Sequence, residues 1–195
     1  MALKLQLQEL EHQALAIEAV CAAFAGIEFD RDTRANAEIT PEMREHIQEN
    51  ILEIQKGNVD GLLAIPEKQR TVTDEPYLGI DVKMETGTGK TYVFTRLMFE
   101  LHKQFGFNKF ILLTPSSAIR EGTANFINSD YADEHFRQHY ESRIVLQTLE
   151  GAPKTKSGRK MIPTEIREYA EGGEFDSKRI DALIMTDAML RAKTI

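Results

Sequence analysis

The sequence feature that most constrains the fold is the run at residues 84–91, Met-Glu-Thr-Gly-Thr-Gly-Lys-Thr. The apolar residues in 78–84 predict a short strand before it, and helical spacing over 94–105 predicts a helix after it, which Gly106 ends. A glycine-rich turn between a strand and a helix is the setting of a phosphate-binding loop. The strict motif has a further glycine where this chain has Met84, so the generic pattern is met only in part.

Each residue type in this loop has a chemical task. Glycines let successive backbone N–H groups turn inward around an anion, and the following helix points its positive end at it. Lys90 can pair with phosphate oxygens, and the Thr91 hydroxyl can hold a magnesium ion, so these two are the predicted catalytic residues. A chance glycine turn is the alternative. The predicted phosphate contacts are Thr86, Gly87, Thr88, Gly89, Lys90 and Thr91.

Three further strands are predicted over residues 109–114, 143–148 and 180–186, with helices between them. Ser116 or Ser117 can cap the first of these helices, and a short helix is expected near residues 164–170. Strands that alternate with helices imply an α/β domain, in which a parallel sheet is sandwiched by helices and ligands bind at the carboxyl ends of the strands.

The N-terminal residues predict two helices. One apolar stripe runs from Leu10 to Phe24, with Cys21 as a small core residue on it, and Gly26 is placed to stop the helix. Thr40 and Pro41 predict the start of a second helix, which continues to Gly57. Residues 58–76 are predicted as a loop. We therefore predict an N-terminal helical segment over residues 1–76, packing on a domain over residues 77–195.

Charge and composition exclude several classes of protein. Residues 1–80 hold 7 basic and 15 acidic side chains, whereas residues 81–195 hold 17 and 16, so a polyanion contact belongs in the second part. The single cysteine cannot form an internal disulfide, and no apolar run is long enough to cross a bilayer. We expect a cytoplasmic protein without a membrane partner. The five histidines show no metal-ligand spacing, and we expect no structural zinc.

Residues 79–93, Gly-Ile-Asp-Val-Lys-Met-Glu-Thr-Gly-Thr-Gly-Lys-Thr-Tyr-Val, together with residues 95–102, resemble the restriction (Res) subunit of type III restriction-modification enzymes. That family belongs to the superfamily 2 helicases and translocases. The resemblance implies a RecA-like P-loop NTPase domain that uses ATP and Mg²⁺ to translocate along double-stranded DNA. In the full subunit it implies an attached nuclease domain, and in the complex a modification (methyltransferase) subunit.

Three further stretches carry the resemblance. Residues 111–122 are similar to motif Ia and residues 183–190 to a later DNA-tracking element, and residues 11–17 look like the glutamine motif. The resemblance implies that Gln13 binds adenine, for which a solvent-facing helix glutamine is the alternative. For the serines and Arg120, a helix cap and a surface charge are the alternatives. The implied DNA contacts are Pro115, Ser116, Ser117, Arg120 and Thr186.

Two features of the family are missing after Lys90. No Asp-Glu pair follows an apolar strand, and there is no length for a second motor domain or a nuclease, so we expect an N-terminal piece truncated before the acidic motif. The alternative function is a stand-alone P-loop nucleotide-binding protein or a small kinase-like enzyme. The basic stretch from Lys154 to Lys160 is expected to be a solvated loop, with contact to a phosphate backbone as its alternative.

Overall fold

The structure is a computed structural model, and it describes residues 7–31, 36–57, 78–150, 162–172 and 177–191. Contacts divide the chain into two units, which contain residues 9–29 with 38–93, and residues 30–37 with 94–195. Seven helices and three strands are present in the described part of the chain. In chain order they are α1 (Glu11–Ala22), α2 (Pro41–Gly57), α3 (Lys90–Phe105), β1 (Lys109–Thr114), α4 (Ser117–Ile127), α5 (Asp130–His139), β2 (Arg143–Thr148), α6 (Thr164–Glu171), β3 (Arg179–Thr186) and α7 (Asp187–Arg191).

The second unit contains a three-stranded parallel sheet with the order β1-β3-β2. Lys109 pairs with Asp181 and Thr114 with Thr186, so β1 and β3 end level with each other. Helices α4 and α5 connect β1 to β2, and α6 connects β2 to β3. These helical crossovers are what parallel strands require, and they confirm the predicted α/β fold with a parallel sheet flanked by helices.

The central strand β3 has a packed core on each face. Ala182 lies with Met98 and Ile127 on one face, and Leu183 lies with Leu149 and Met185 on the other. Successive side chains of a strand point to opposite faces, which explains why neighbouring residues belong to different clusters. Because both faces are covered, β3 is an almost continuous run of buried residues, as a central parallel strand must be.

An aromatic cluster joins α3 to α5. The Phe99 ring stacks on Phe136 and Tyr140, with ring centroids 4.9 and 5.0 Å apart. The Tyr140 hydroxyl donates a hydrogen bond to Glu100 over 2.5 Å and accepts one from Arg96 Nε over 3.0 Å. Burial, followed by the hydrogen bond to Glu100, raises the pKa of Tyr140 well above its ordinary value.

The first unit contains α1 and α2. Cys21 is buried on α1, which confirms it as a core residue, and Gly26 ends the helical region at a φ of 76°. The Met43 amide donates to the Thr40 hydroxyl over 3.3 Å at the start of α2, as the sequence predicts. The side-chain amide of Asn50 on α2 donates to the carbonyls at 23 and 25 over 3.1 and 3.0 Å, which satisfies the end of α1.

Residues 78–84 form no strand, so this prediction was wrong. Asp81, Val82 and Lys83 are exposed, and this segment pairs with none of the three described strands. Its alternating apolar residues fit a strand, but a strand also needs a neighbour for its N–H and C=O groups. The loops predicted at 58–76 and 151–160 lie outside the described residues. The chain passes from the first unit to the second after Val93. The functional division predicted at 76/77 stays a prediction.

The other predicted elements are confirmed, with ends that differ by at most a few residues. They include the helix that ends at Gly106, which has a φ of 77°, the three later strands and the short helix after residue 163. Among the helices of the described ranges, none combines the length and apolar character that crossing a membrane would require.

Candidate functional site

The loop before α3 has the backbone geometry of an anion cradle. Gly87 and Gly89 both have a φ of 84°, a conformation that residues with a side chain rarely adopt. Lys90 is the first residue of α3, and the Val93 amide donates to the Gly89 carbonyl over 3.0 Å as the helix begins. The first turn of α3 contains no acidic residue. The positive end of the helix is therefore not neutralised by its own side chains.

The Lys90 side chain is exposed, and its ammonium folds back over this loop. Its Nζ donates to the Met84 carbonyl over 3.2 Å and to the Glu85 carbonyl over 2.5 Å. The Thr88 hydroxyl donates to the same Glu85 carbonyl over 2.7 Å, which closes the loop on itself. Both lysine acceptors are neutral, and a cation binds an anionic oxygen more strongly than a carbonyl. The residues present therefore fit a phosphate group.

Gln13 is the third residue of α1 and is only 5% exposed. Its Nε2 donates to the Thr88 carbonyl over 3.0 Å, and its Oε1 accepts from the Leu10 amide over 3.3 Å. The second bond is the reaching-back contact of a capping box. Gln13 thus ties the start of α1 to the glycine loop, and the solvent-facing alternative is wrong. Adenine binding by Gln13 stays a prediction.

The approach of Gln13 explains why residue 89 is a glycine. A Cβ atom at Gly89 would lie 2.3 Å from the Gln13 side-chain nitrogen, too close for two non-bonded atoms. A Cβ at Gly87 would meet none of the described residues within 4 Å. The two glycines therefore share the same backbone requirement, but only at Gly89 would an added Cβ also displace a neighbouring side chain.

The sequence analysis missed His12 at this loop. Its Nε2 lies 3.1 Å from the Thr88 carbonyl, which also accepts from Gln13. This carbonyl is bonded by two adjacent residues of α1, although they lie 76 and 75 positions away in the sequence. The only signal in the sequence was the position of His12 next to Gln13, which says nothing about which way the ring points.

The predicted DNA-contact residues lie in the other unit, at the carboxyl ends of β1 and β3. Pro115, Ser116 and Ser117 are exposed, and Ser116 caps α4 by accepting from the Ile119 amide over 3.4 Å. The serine cap is confirmed. Thr186 is buried, and its hydroxyl accepts from the Met189 amide over 3.3 Å. The parallel register brings these residues to one edge of the sheet.

Arg120 is not a surface charge, and that alternative is corrected by the structure. The residue is 6% exposed, and its Nη1 donates to the Leu149 carbonyl over 2.9 Å. The same nitrogen lies 3.8 Å from the Met189 sulfur. The sequence could not indicate this burial, because the contact joins residues on three different elements.

The described ranges contain no preformed metal site, because they hold no group of three or more His, Cys, Asp or Glu side chains that could bind a metal ion. His135 and His139 lie on α5 with ring centroids 4.8 Å apart, without a third ligand of that kind in the part of the chain that is described. Thr91, the predicted magnesium ligand, is partly buried in the first turn of α3, and its role stays a prediction.

A parallel sheet flanked by helices, with a two-glycine loop opening a helix, defines the class of RecA-like α/β domains. Within that class, the chain belongs to the family described as "Type III restriction enzyme, res subunit", whose model matches residues 6–188. This confirms the resemblance found in the sequence, and the family belongs to the helicase superfamily.

Three curated relatives agree with this assignment. The chain is 40% identical over 194 residues to the type III restriction-modification enzyme StyLTI Res subunit of Salmonella typhimurium, covering 97% of this chain and 16% of that protein. It is 34% identical over 194 residues to the EcoPI Res subunit of Escherichia phage P1, covering 96% of this chain and 19% of that protein. It is 38% identical over 117 residues to the EcoP15I Res subunit of Escherichia coli, with 60% and 12% covered.

The chain thus spans less than one fifth of the length of these relatives. What it shares with them is the helicase-like ATPase domain of a restriction subunit.

Proposed function

We propose that the chain binds ATP with Mg²⁺ and serves as the first motor domain of a type III restriction subunit, which couples ATP hydrolysis to translocation along double-stranded DNA. The observation that carries the proposal is the glycine loop, where Gly87 and Gly89 turn the backbone and Lys90 holds its ammonium over it at the start of α3. Family membership and relatives named as restriction-modification enzymes support it.

In this proposal the Lys90 ammonium exchanges its two carbonyl partners for the β and γ phosphate oxygens. The exchange is favourable because an ionic acceptor replaces a neutral one near the positive end of α3. The backbone N–H groups from Thr86 to Gly89 complete the cradle, and the Thr91 hydroxyl holds the magnesium ion. ATP, when bound with Mg²⁺, supplies the phosphoryl-transfer chemistry.

Gln13 is proposed to bind the adenine edge. A glutamine side chain has two N–H donors and two carbonyl lone pairs, and the contacts with Thr88 and Leu10 use one of each. One donor and one lone pair remain, which is what an adenine edge demands. The same contacts would link base binding to the conformation of the phosphate loop, since one side chain touches both.

DNA contact is proposed for the edge formed by Pro115, Ser116, Ser117 and Thr186. The exposed α4 N-terminus and the hydroxyl groups of Ser116 and Ser117 are suitable donors to a phosphate backbone, whereas the Thr186 hydroxyl is buried. We further propose that residues 1–76 serve as the segment that carries the glutamine motif and residues 77–195 as the motor domain. A nuclease elsewhere in the full subunit, a modification subunit as partner and a cytoplasmic location belong to the same proposal.

The test is nucleotide binding by Lys90→Ala, measured by titration calorimetry or with a fluorescent ATP analogue. Loss of one ion-assisted contact should weaken ATP binding by at least about tenfold, which corresponds to about 1.4 kcal/mol. The matched control is Lys56→Ala, which removes an exposed lysine from the last turn of α2 in the same unit.

Both variants should unfold cooperatively, so that a difference in affinity can be assigned to the loop. Equal ATP affinity in wild type and Lys90→Ala would contradict the proposal. Weakened affinity in both variants would instead point to a general effect of lost positive charge, because Lys56 lies on a different helix.

A further inference from the structure

Arg120 contacts the segments that directly follow β2 and β3, and it lies itself on α4, which follows β1. It lies in the first turn of α4, where its amide donates to the Ser116 carbonyl over 3.0 Å. Its guanidinium reaches the Leu149 carbonyl, directly after β2, over 2.9 Å. The same nitrogen lies 3.8 Å from the sulfur of Met189 on α7, which follows β3. One side chain therefore spans the carboxyl ends of β1, β2 and β3.

Stability does not explain a charge at this position. The ion pair that the structure shows for Arg120 is with Glu121, over 3.7 Å, and the Glu121 side chain is 68% exposed. The Arg120 Nε is buried and has no hydrogen-bond partner among the described residues. A buried charge with a distant, solvated counter-charge costs free energy, and an apolar residue of similar volume often serves stability as well.

We infer that Arg120 is a positioning residue that sets the Ser116–Ser117 turn relative to the segment from Thr186 to Met189, and that it does not itself contact DNA. The path is continuous: Ser116 begins α4, Arg120 connects α4 to Met189, and the Met189 amide donates to the Thr186 hydroxyl over 3.3 Å. This inference rests on the proposed function, in which both ends of the path bind one DNA backbone.

Replacing Arg120 by lysine distinguishes this positioning role from a direct phosphate contact. At a phosphate, a lysine ammonium still binds as a point charge, although it loses the two-pronged geometry of a guanidinium. Both contacts in the structure are made by Arg120 Nη1, which touches the Leu149 carbonyl and the Met189 sulfur. A lysine side chain is one bond shorter, so its ammonium does not reach the position of that nitrogen. Positioning therefore depends on the reach of arginine, whereas a direct phosphate contact keeps its charge and its salt dependence in a lysine variant.

The experiment compares Arg120→Lys and Arg120→Met with wild type in the 195-residue chain. DNA affinity is measured by fluorescence anisotropy with a short duplex at several salt concentrations, beside ATP affinity and hydrogen exchange. The positioning role predicts that both variants lose about tenfold or more in DNA affinity and keep their ATP affinity. The amides of Leu149 and Met189 should exchange faster in both. Arg137→Lys, on an exposed arginine of α5, is the control and should change neither affinity.

Wild-type DNA affinity in Arg120→Lys, with weakened binding and a shallower salt dependence in Arg120→Met, would overturn the inference in favour of direct phosphate contact. If Arg120→Met does not fold, Met189→Leu is decisive, because it removes the sulfur contact and keeps the charge. That variant should bind DNA more weakly, and the backbone amide of residue 189 should exchange its hydrogen faster. Wild-type DNA affinity together with a wild-type exchange rate would overturn the inference.

The hydrogen-exchange measurement separates the inference from the proposed function. If the wild-type chain binds no DNA, the proposed DNA contact fails, and exchange still reports whether Arg120 holds α7 and the end of β2 in place. Unchanged exchange at Leu149 and Met189 in both Arg120 variants would overturn the link, whatever the chain does with DNA.

Discussion

Gly89 meets two requirements that act on a single residue. Its φ of 84° favours glycine, and the Gln13 amide occupies the space that a Cβ would need. Gly87 shares the same φ, but no described residue lies within 4 Å of the position that its Cβ would take. The two positions form a natural comparison, because any difference between their alanine variants reports on the contact with Gln13.

We expect Gly89→Ala to destabilise the protein more than Gly87→Ala. Both variants carry the left-handed backbone strain, of about 1–2 kcal/mol, and only Gly89→Ala also displaces Gln13. Adding Gln13→Ala should therefore recover part of the loss in Gly89→Ala and add its own loss to Gly87→Ala. Urea unfolding of the three single variants and the two double variants measures both outcomes, and strict additivity at both glycines would show that the clash has no energetic consequence.

The buried hydroxyl of Tyr140 predicts that the unfolding free energy of the protein falls at alkaline pH. Burial, and then the hydrogen bond to Glu100, raises the pKa of Tyr140 above its ordinary value of 10.0, so the folded state holds the proton more tightly than the unfolded chain. Its contribution to the unfolding free energy is complete below pH 10 and is lost as the pH rises above that value.

Tyr140→Phe should reduce the alkaline loss seen on denaturant unfolding above about pH 10. At neutral pH it should cost roughly 1 kcal/mol, because Glu100 and Arg96 lose a partner. Tyr131→Phe on the same helix is the control, and its alkaline profile should follow that of wild type. An unchanged profile in Tyr140→Phe would contradict the assignment.

Helix α4 shows how one element combines a function with a stability cost. Ser116 supplies its N-cap, Arg120 holds it to neighbouring elements, and Gly122 stands exposed in its interior. A Cβ at Gly122 would meet no described residue within 4 Å, and its φ is negative. The glycine therefore has neither a conformational nor a steric reason in this helix.

Gly122→Ala should accordingly raise the unfolding free energy by about 0.5–1 kcal/mol, since alanine loses less backbone entropy in a helix. Thermal or urea unfolding measures the change. ATP affinity should stay at the wild-type value, and a destabilised variant would mean that the helix is not regular at this position.

At the scale of the whole molecule, we expect nucleotide binding to occur without efficient nucleotide hydrolysis. No Asp-Glu pair follows an apolar strand after Lys90 in this sequence, and phosphoryl transfer in such motors needs acidic residues and arginines at the γ phosphate. We expect the 195-residue chain to bind ATP but to hydrolyse it weakly or undetectably, with or without DNA.

Binding can be detected as ligand stabilisation, which reaches about 2.7 kcal/mol when ATP is present at 100 times its dissociation constant. A phosphate-release assay on the same sample measures turnover. Robust turnover by the chain alone would favour a stand-alone enzyme, and absence of stabilisation would contradict the nucleotide-binding proposal.

The sequence by itself determined most local structure and the identity of the loop. Sequence patterns located α1 to α4, α6 and the three sheet strands, and Gly26, Thr40, Gly106 and Ser116 marked helix ends, because these features depend on neighbouring residues. The glycine loop could also be predicted from the sequence, since its backbone conformation requires glycine residues. These are interactions over a few positions, and a single sequence contains them.

The tertiary structure decided what depends on distant partners. It placed β3 between β1 and β2, left residues 78–84 without a strand neighbour, bonded Gln13 to a loop 75 positions away and buried Arg120 among three elements. In each case the outcome depends on groups that lie far away in the sequence. Only the packing of the elements brings such groups together, and a single sequence does not contain that information.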